Sequence, residues 1–172
     1  MQGSFIVIEG IDGCGSTTQA QLLFDYFSSL NKKIYLTNEP SKSVVGEMTR
    51  QLLQDRKNET KNLFSQALAL SFAADRLLHL LDEIIPKLKE GFSIICDRYV
   101  LSSLVYNSME CEEKWIRELN KYALKADCTF LLDVSADIAF DRINKRGSSK
   151  DFFEKIDIPT LFSSSFLKNC TV

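Results

Sequence analysis

The residues best placed to do chemistry form one run, Gly10-Ile11-Asp12-Gly13-Cys14-Gly15-Ser16-Thr17-Thr18. It follows the apolar, β-branched segment Phe5-Ile6-Val7-Ile8 and enters a segment whose residues Ala20, Leu22, Leu23 and Phe27 recur at helical spacing. Glycines let the backbone turn tightly and approach a ligand closely. Strand, glycine turn and helix N-terminus together aim free N–H groups and a helix dipole at one point. Such a point binds anions, phosphate above all. The spacing of Gly10 and Gly15 fits a phosphate-cradling loop, and Thr17 stands where that loop offers a hydroxyl to magnesium. The lysine of the pattern is missing, and Ser16 occupies its place. The backbone cradle survives the exchange, whereas the point charge on the β- and γ-phosphates does not. A dinucleotide-binding turn would need a further glycine where Thr18 stands. A plain strand-to-helix turn is the bland alternative, but it requires neither three glycines nor Thr17. Cys14 reads as a small spacer, with an accessible thiol as the alternative.

The elements that must position this loop alternate along the chain. Strands are expected at 5–8, 34–37, 92–96 and 129–134, and helices at 44–53, 63–81, 101–106, 112–125 and 136–145, the last ending near Gly147. The 63–81 helix carries apolar residues over a broad surface and is expected to be largely buried, with Pro86 bending or breaking the segment beyond it. Alternation of this kind predicts a single α/β domain over 1–172 with a parallel sheet, ligands lying at the carboxyl ends of the strands. Glu9, Glu39, Asp97 and Asp133 fall at such ends. The only histidine, His79, lies among leucines and reads as structural.

Composition narrows the partners. The chain has 172 residues, 45% apolar and 26% charged, with a formal net charge of -2, which is not the basic balance of a general nucleic-acid binder. No apolar run reaches the roughly 18 residues that cross a membrane, and the N-terminus shows no charged-then-apolar targeting segment. The five cysteines are scattered without metal-site or redox spacing, as expected of reduced thiols in a cytoplasmic protein.

Five motifs in order, FIVIEGIDGCGSTTQ, Asn38-Glu39-Pro40 with Gly46 and Arg50, SFAADR, CDRYVLSS with Tyr106, and LLDVSADIAFDRINKR leading to Asp151 and Glu154, resemble those of the thymidylate kinases. These belong to the phosphate-loop nucleoside monophosphate kinases. The resemblance implies a three-layer αβα fold, ATP with Mg2+ as cofactor, dTMP as acceptor, no nucleic-acid or membrane partner, and a homodimer formed through helices like 63–81. It implies that Asp12 lies near the 3′-hydroxyl of the monophosphate, and that Glu39 faces the phosphates and metal-bound water. Arg50 and Arg98 would grip the acceptor phosphate, and Asp97 would hold magnesium through water. Phe72 would stack on thymine, Arg76, Ser102 and Ser103 would reach its edge, and the Tyr106 ring would crowd a ribose 2′-hydroxyl. Arg142, Lys145 and Arg146 occupy a lid over ATP at about 142–154, resembling a bacterial subclass whose lid arginines spread the charge of the transferred phosphoryl group. From residue type alone, Asp12 suits a turn, Arg50 a solvated helix face, Asp97 a salt bridge, Phe72 a core position and the lid cations a solvated helix end.

Two departures stand out. Ser16 replaces the loop lysine, with Lys145 a partial stand-in, and the tail 155–172 replaces the family's closing helix, strand and helix. The expected fold therefore lacks the last strand and helix, leaving the fourth strand as an exposed edge. The competing expectation is a folded nucleotide-binding homologue with weak or no kinase activity.

Overall fold

The structure, a computed structural model, describes residues 3–54 and 61–146. Strands β1 (Phe5–Gly10), β2 (Ile34–Asn38), β3 (Ser93–Asp97) and β4 (Cys128–Leu132) form one parallel sheet in the order β2-β3-β1-β4. Around it lie α1 (Ser16–Ser29), α2 (Val44–Gln54), α3 (Lys61–His79), α4 (Ile85–Lys89), α5 (Val100–Tyr106), α6 (Glu113–Leu119) and α7 (Ala136–Arg146).

The two-residue period of the strands explains the layers. Phe5 and Val7 of β1, with Ile94 and Cys96 of β3, pack on Leu80, Ile84, Leu88 and Tyr99. Ile8, Ile34 and Ile95 point to the opposite face and cover Ala20 of α1, flanked by Leu23, Phe24 and Phe27. Ile94 and Ile95 are fully buried, each a contribution of about 1.5–3 kcal/mol. This is the expected three-layer arrangement. Phe24 takes the contact that the helical spacing assigns to Leu22, which is exposed.

Three elements differ from expectation. The long helix is not largely buried, because Leu63, Leu70, Leu77 and Leu81 face outward. Pro86 does not break it either. A π turn at Leu80–Ile84 joins α3 to α4, and Pro86 sits in the first turn of α4, where a missing N–H costs little. Helix α6 stops at Leu119, short of the predicted 125, where the side-chain amide nitrogen of Asn120 donates back to the Ile116 carbonyl and its side-chain Oδ1 accepts a hydrogen bond from Arg76. Among the described residues β4 is an edge strand, at the opposite end of the sheet from β2, with Cys128, Thr129 and Phe130 exposed. Gly147, the lid beyond Arg146 and the tail 155–172 lie outside the described residues.

Candidate active site

The loop between β1 and α1 is built as its glycines require. Gly15 caps α1 at φ 96°, and Gly13 adopts φ 82° with the Ala139 carbonyl of α7 so close that a Cβ would stand 2.4 Å from it. Cys14 is buried, as a spacer should be. Ser16 is buried at the start of α1, with Thr17 and Thr18 exposed beyond it. Thr17 donates its hydroxyl to Asp97 Oδ2 at 2.5 Å, which ties the loop to the end of β3. The other carboxylate oxygen of Asp97 is buried with no hydrogen-bond partner among the described residues. Arg142 reaches back from α7 and donates to the carbonyls of Cys14 (3.0 Å) and Gly13 (3.4 Å). An open groove of about 690 Å³ runs beside the loop, lined by Gly15, Thr18, Asp133, Arg142 and Lys145. The side chain of Arg146 lies outside the described residues.

Across the loop lies a second cavity, of about 210 Å³. Arg98 dominates its inner wall. Its backbone has φ 73°, in the left-handed region, a strain of roughly 1–2 kcal/mol that surrounding bonds must hold. Its N–H donates to the Ile8 carbonyl at 2.9 Å, and its guanidinium to the Gly10 carbonyl and to Asp12 Oδ1 at 2.7 Å. The hydroxyl of Tyr106 accepts the Asp12 N–H at 3.0 Å, so both sides of the cavity are tied to the loop. Phe72, Ser102 and Ser103 also line it. Arg50 stands at the rim rather than in the wall, bonded to the Pro40 carbonyl and paired with Glu47 at 2.9 Å.

The fourth side holds buried charge. Arg76 directs Nε (2.9 Å) and Nη2 (2.6 Å) at one oxygen of Glu39, and Nη2 also donates to Ser103 and to the Tyr99 carbonyl. His79 is not held by leucines. Its Nδ1 lies 3.4 Å from Glu39 and its Nε2 3.5 Å from Glu83. Burial alone would lower its pKa, yet hydrogen bonds to the two glutamates lift it to about 9.

Glu9 plays a part that motif spacing does not assign. It is fully buried and accepts the Tyr99 N–H (2.9 Å), the Ser102 N–H (3.2 Å) and the Ser102 hydroxyl (2.5 Å). It thereby caps the start of α5 and fixes the turn carrying Arg98, since Tyr99 supplies no side-chain cap. Burial pushes the Glu9 carboxyl up, against the hydrogen bonds from Ser102 and the charge of Arg98. The available signal was a carboxylate closing an otherwise apolar strand, which must find partners once buried. Asp75 is the other omission. It accepts from Ser41 and Ser43, and Gly46 leaves room for it, because a Cβ there would stand 2.8 Å from Asp75 Oδ1.

A family model described as thymidylate kinase matches residues 8–171. The chain belongs to the thymidylate kinase family. The family match extends past Glu154, where the motif resemblance ends, through most of the tail. A probable thymidylate kinase of Pyrococcus horikoshii is 37% identical over 170 residues, 98% of this chain and 83% of the relative. The thymidylate kinase of Rickettsia canadensis is 36% identical over 167 residues, 90% of this chain and 80% of the relative. The crystal structure of thymidylate kinase from Ehrlichia chaffeensis superposes with a TM-score of 0.69 at 32% identity, covering 84% of each chain. The parallel sheet and the loop between β1 and α1 are thus those of a thymidylate kinase, a phosphoryl-transfer fold.

Proposed function

We propose that the chain is a thymidylate kinase that moves the γ-phosphoryl of ATP onto dTMP to give dTDP. One observation carries the assignment of residues: eight of the nine side chains that the motif resemblance gives to the monophosphate line a single cavity, with Arg50 alone at its rim. Phe72 offers a stacking face to thymine, and Arg76 with Ser102 and Ser103 offers polar groups to the base edge. The Tyr106 ring lies beside Asp12, where a 2′-hydroxyl would be crowded and a 3′-hydroxyl would find the Asp12 carboxylate. Arg98 and, from the rim, Arg50 hold the acceptor phosphate, for which their fork geometry is suited. On the other side of the loop, backbone N–H groups cradle the donor phosphates, with Arg142 and Arg146 serving the transferred group.

Thr17 and Asp97 are the residues that would hold magnesium, and the unpartnered buried oxygen of Asp97 fits a cation or its water shell. When bound there, magnesium neutralises phosphate charge during transfer. The transfer needs no covalent intermediate, only in-line positioning and electrostatics. Coupled detection of ADP release with dTMP and Mg-ATP tests the assignment. Turnover that requires both dTMP and a divalent ion is expected. Binding of dTMP without turnover would select the non-catalytic homologue instead.

A homodimer is part of the same proposal. Leu63, Ala67, Leu70, Ala74 and Leu77 follow alternating steps of four and three along α3, and all five are exposed. A continuous apolar stripe at that spacing suits an antiparallel or parallel helix pair contributed by a second copy. Sedimentation velocity should give a dimer for the native chain and a monomer for the double variant Leu70→Glu, Leu77→Glu. A monomeric native chain at micromolar concentration would exclude the dimer. The free thiols Cys14, Cys96, Cys111 and Cys128 accord with a cytoplasmic site of action, and no helix among the described residues is long and apolar enough to cross a membrane.

A further inference from the structure

His79 sits behind the wall of the monophosphate cavity, at the junction of α3 and the π turn, with its side chain fully enclosed. Polar groups from neighbouring elements surround it. From β2 come Thr37, whose Oγ1 lies 2.8 Å from Nε2, and Tyr35, which is hydrogen-bonded to Glu83. From the segment after β2 comes Glu39, and from the π turn comes Glu83. Arg76, one turn earlier on α3, reaches the same Glu39 and stacks over Tyr99 at 5.1 Å. The Cys96 thiol and Asp97 of β3 lie beyond Glu39, and burial holds that thiol protonated.

Among Glu39, Glu83, Arg76 and His79 the charges balance in one protonation state. With His79 cationic, Glu39 and Glu83 are matched by His79 and Arg76. With His79 neutral, one net negative charge remains inside the wall of a cavity meant for an anion. The contact distances suit the cationic form, in which both ring nitrogens are donors. An Nε2–H donates to the Thr37 hydroxyl, leaving that hydroxyl free to donate to Glu83, and Nδ1–H points at Glu39.

We propose that His79 is a positioning residue: as a buried cation between Glu39 and Glu83 it holds the Glu39–Arg76 pair in the cavity wall and keeps that wall neutral toward the incoming phosphate. The inference rests on the assignment of this cavity to the nucleoside monophosphate. It extends that assignment to a residue outside the cavity lining and makes acceptor affinity dependent on a proton.

His79 is the only histidine in the chain, so its imidazole resonance in proton NMR can be followed without assignment ambiguity. In the free protein it is expected to titrate near 9 rather than near its ordinary 6.5. Linkage then fixes the decisive result. If losing the proton weakens dTMP binding about tenfold, saturating dTMP must raise the titration midpoint by about one pH unit, because coupling is reciprocal. Calorimetry from pH 7 to 10 should show about a fivefold fall in dTMP affinity for the native chain, more than half of the full tenfold, because the bound midpoint itself lies near 10. In His79→Gln the affinity should be weaker by a similar factor at pH 7 and flat with pH. A midpoint that dTMP does not move, or an alkaline fall in affinity that persists in His79→Gln, would reduce His79 to a purely structural role. Absence of dTMP binding at every pH would overturn the cavity assignment and this inference with it. The NMR arm uses the native chain, so it decides the matter even if the variant does not fold.

Discussion

Replacing Ser16 by lysine is expected to raise dTMP-dependent turnover by about 10²–10³, the effect of restoring one positioned electrostatic donor to a transition state. The loop is otherwise complete. Gly13 and Gly15 hold their positive φ, Thr17 is bonded to Asp97, and α1 begins where its N-terminus can meet phosphate. What it lacks is a cation at the β- and γ-phosphates. Arg142 is the nearest substitute, since its guanidinium already rests on the Gly13 and Cys14 carbonyls, closer to the loop than sequence spacing could show. Its presence places the expected gain toward the lower end of that range. Rates of ADP release at saturating Mg-ATP and dTMP check the figure, with Arg142→Ala made in both backgrounds. If Ser16→Lys changes nothing while Arg142→Ala abolishes turnover in the native chain, the arginine already supplies the whole charge.

The sheet and the loop were legible because their signals are local. Apolar runs of four or five residues, one glycine spacing and the helical recurrence of Ala20, Leu23 and Phe27 suffice to place β1, the loop and α1. Most of the cavity lining was legible through motifs that carry its residues in order. The features that stayed hidden depend on partners distant in sequence. Glu9 meets Tyr99 and Ser102, Asp75 meets Ser41 and Ser43, and His79 meets Glu39. A buried charge cannot be told from an exposed one until its partner is in place, so His79 looked inert among leucines. The outward leucines of α3 were misjudged for the complementary reason. Composition shows how apolar a helix is, but only the packing of its neighbours shows which stripe remains bare. The shortened α6 has the same origin, because a hydrogen bond from Arg76 draws on Asn120 across 44 positions.

Truncating Arg98 should separate function from backbone strain. Its guanidinium faces the cavity beside Asp12, while its backbone is held at φ 73° by the Ile8 carbonyl on one side and the Glu9-capped turn on the other. Arg98→Ala and Arg98→Gly both remove the charge and its bonds to Gly10 and Asp12. Each is expected to lower kcat/KM for dTMP by about 10²–10³, as loss of a positioned donor does. Arg98→Lys should recover little, since one ammonium cannot reproduce a forked contact. The two truncations differ in one respect, because alanine keeps the left-handed strain and glycine relieves it. Arg98→Gly should therefore be more stable than Arg98→Ala by about 1 kcal/mol in urea denaturation, with equal loss of activity. A conventional helix or turn position would give the opposite order, glycine being the less stable. Equal activity loss with the glycine variant more stable would mean that the chain accepts a strained backbone to keep a guanidinium against the phosphate loop.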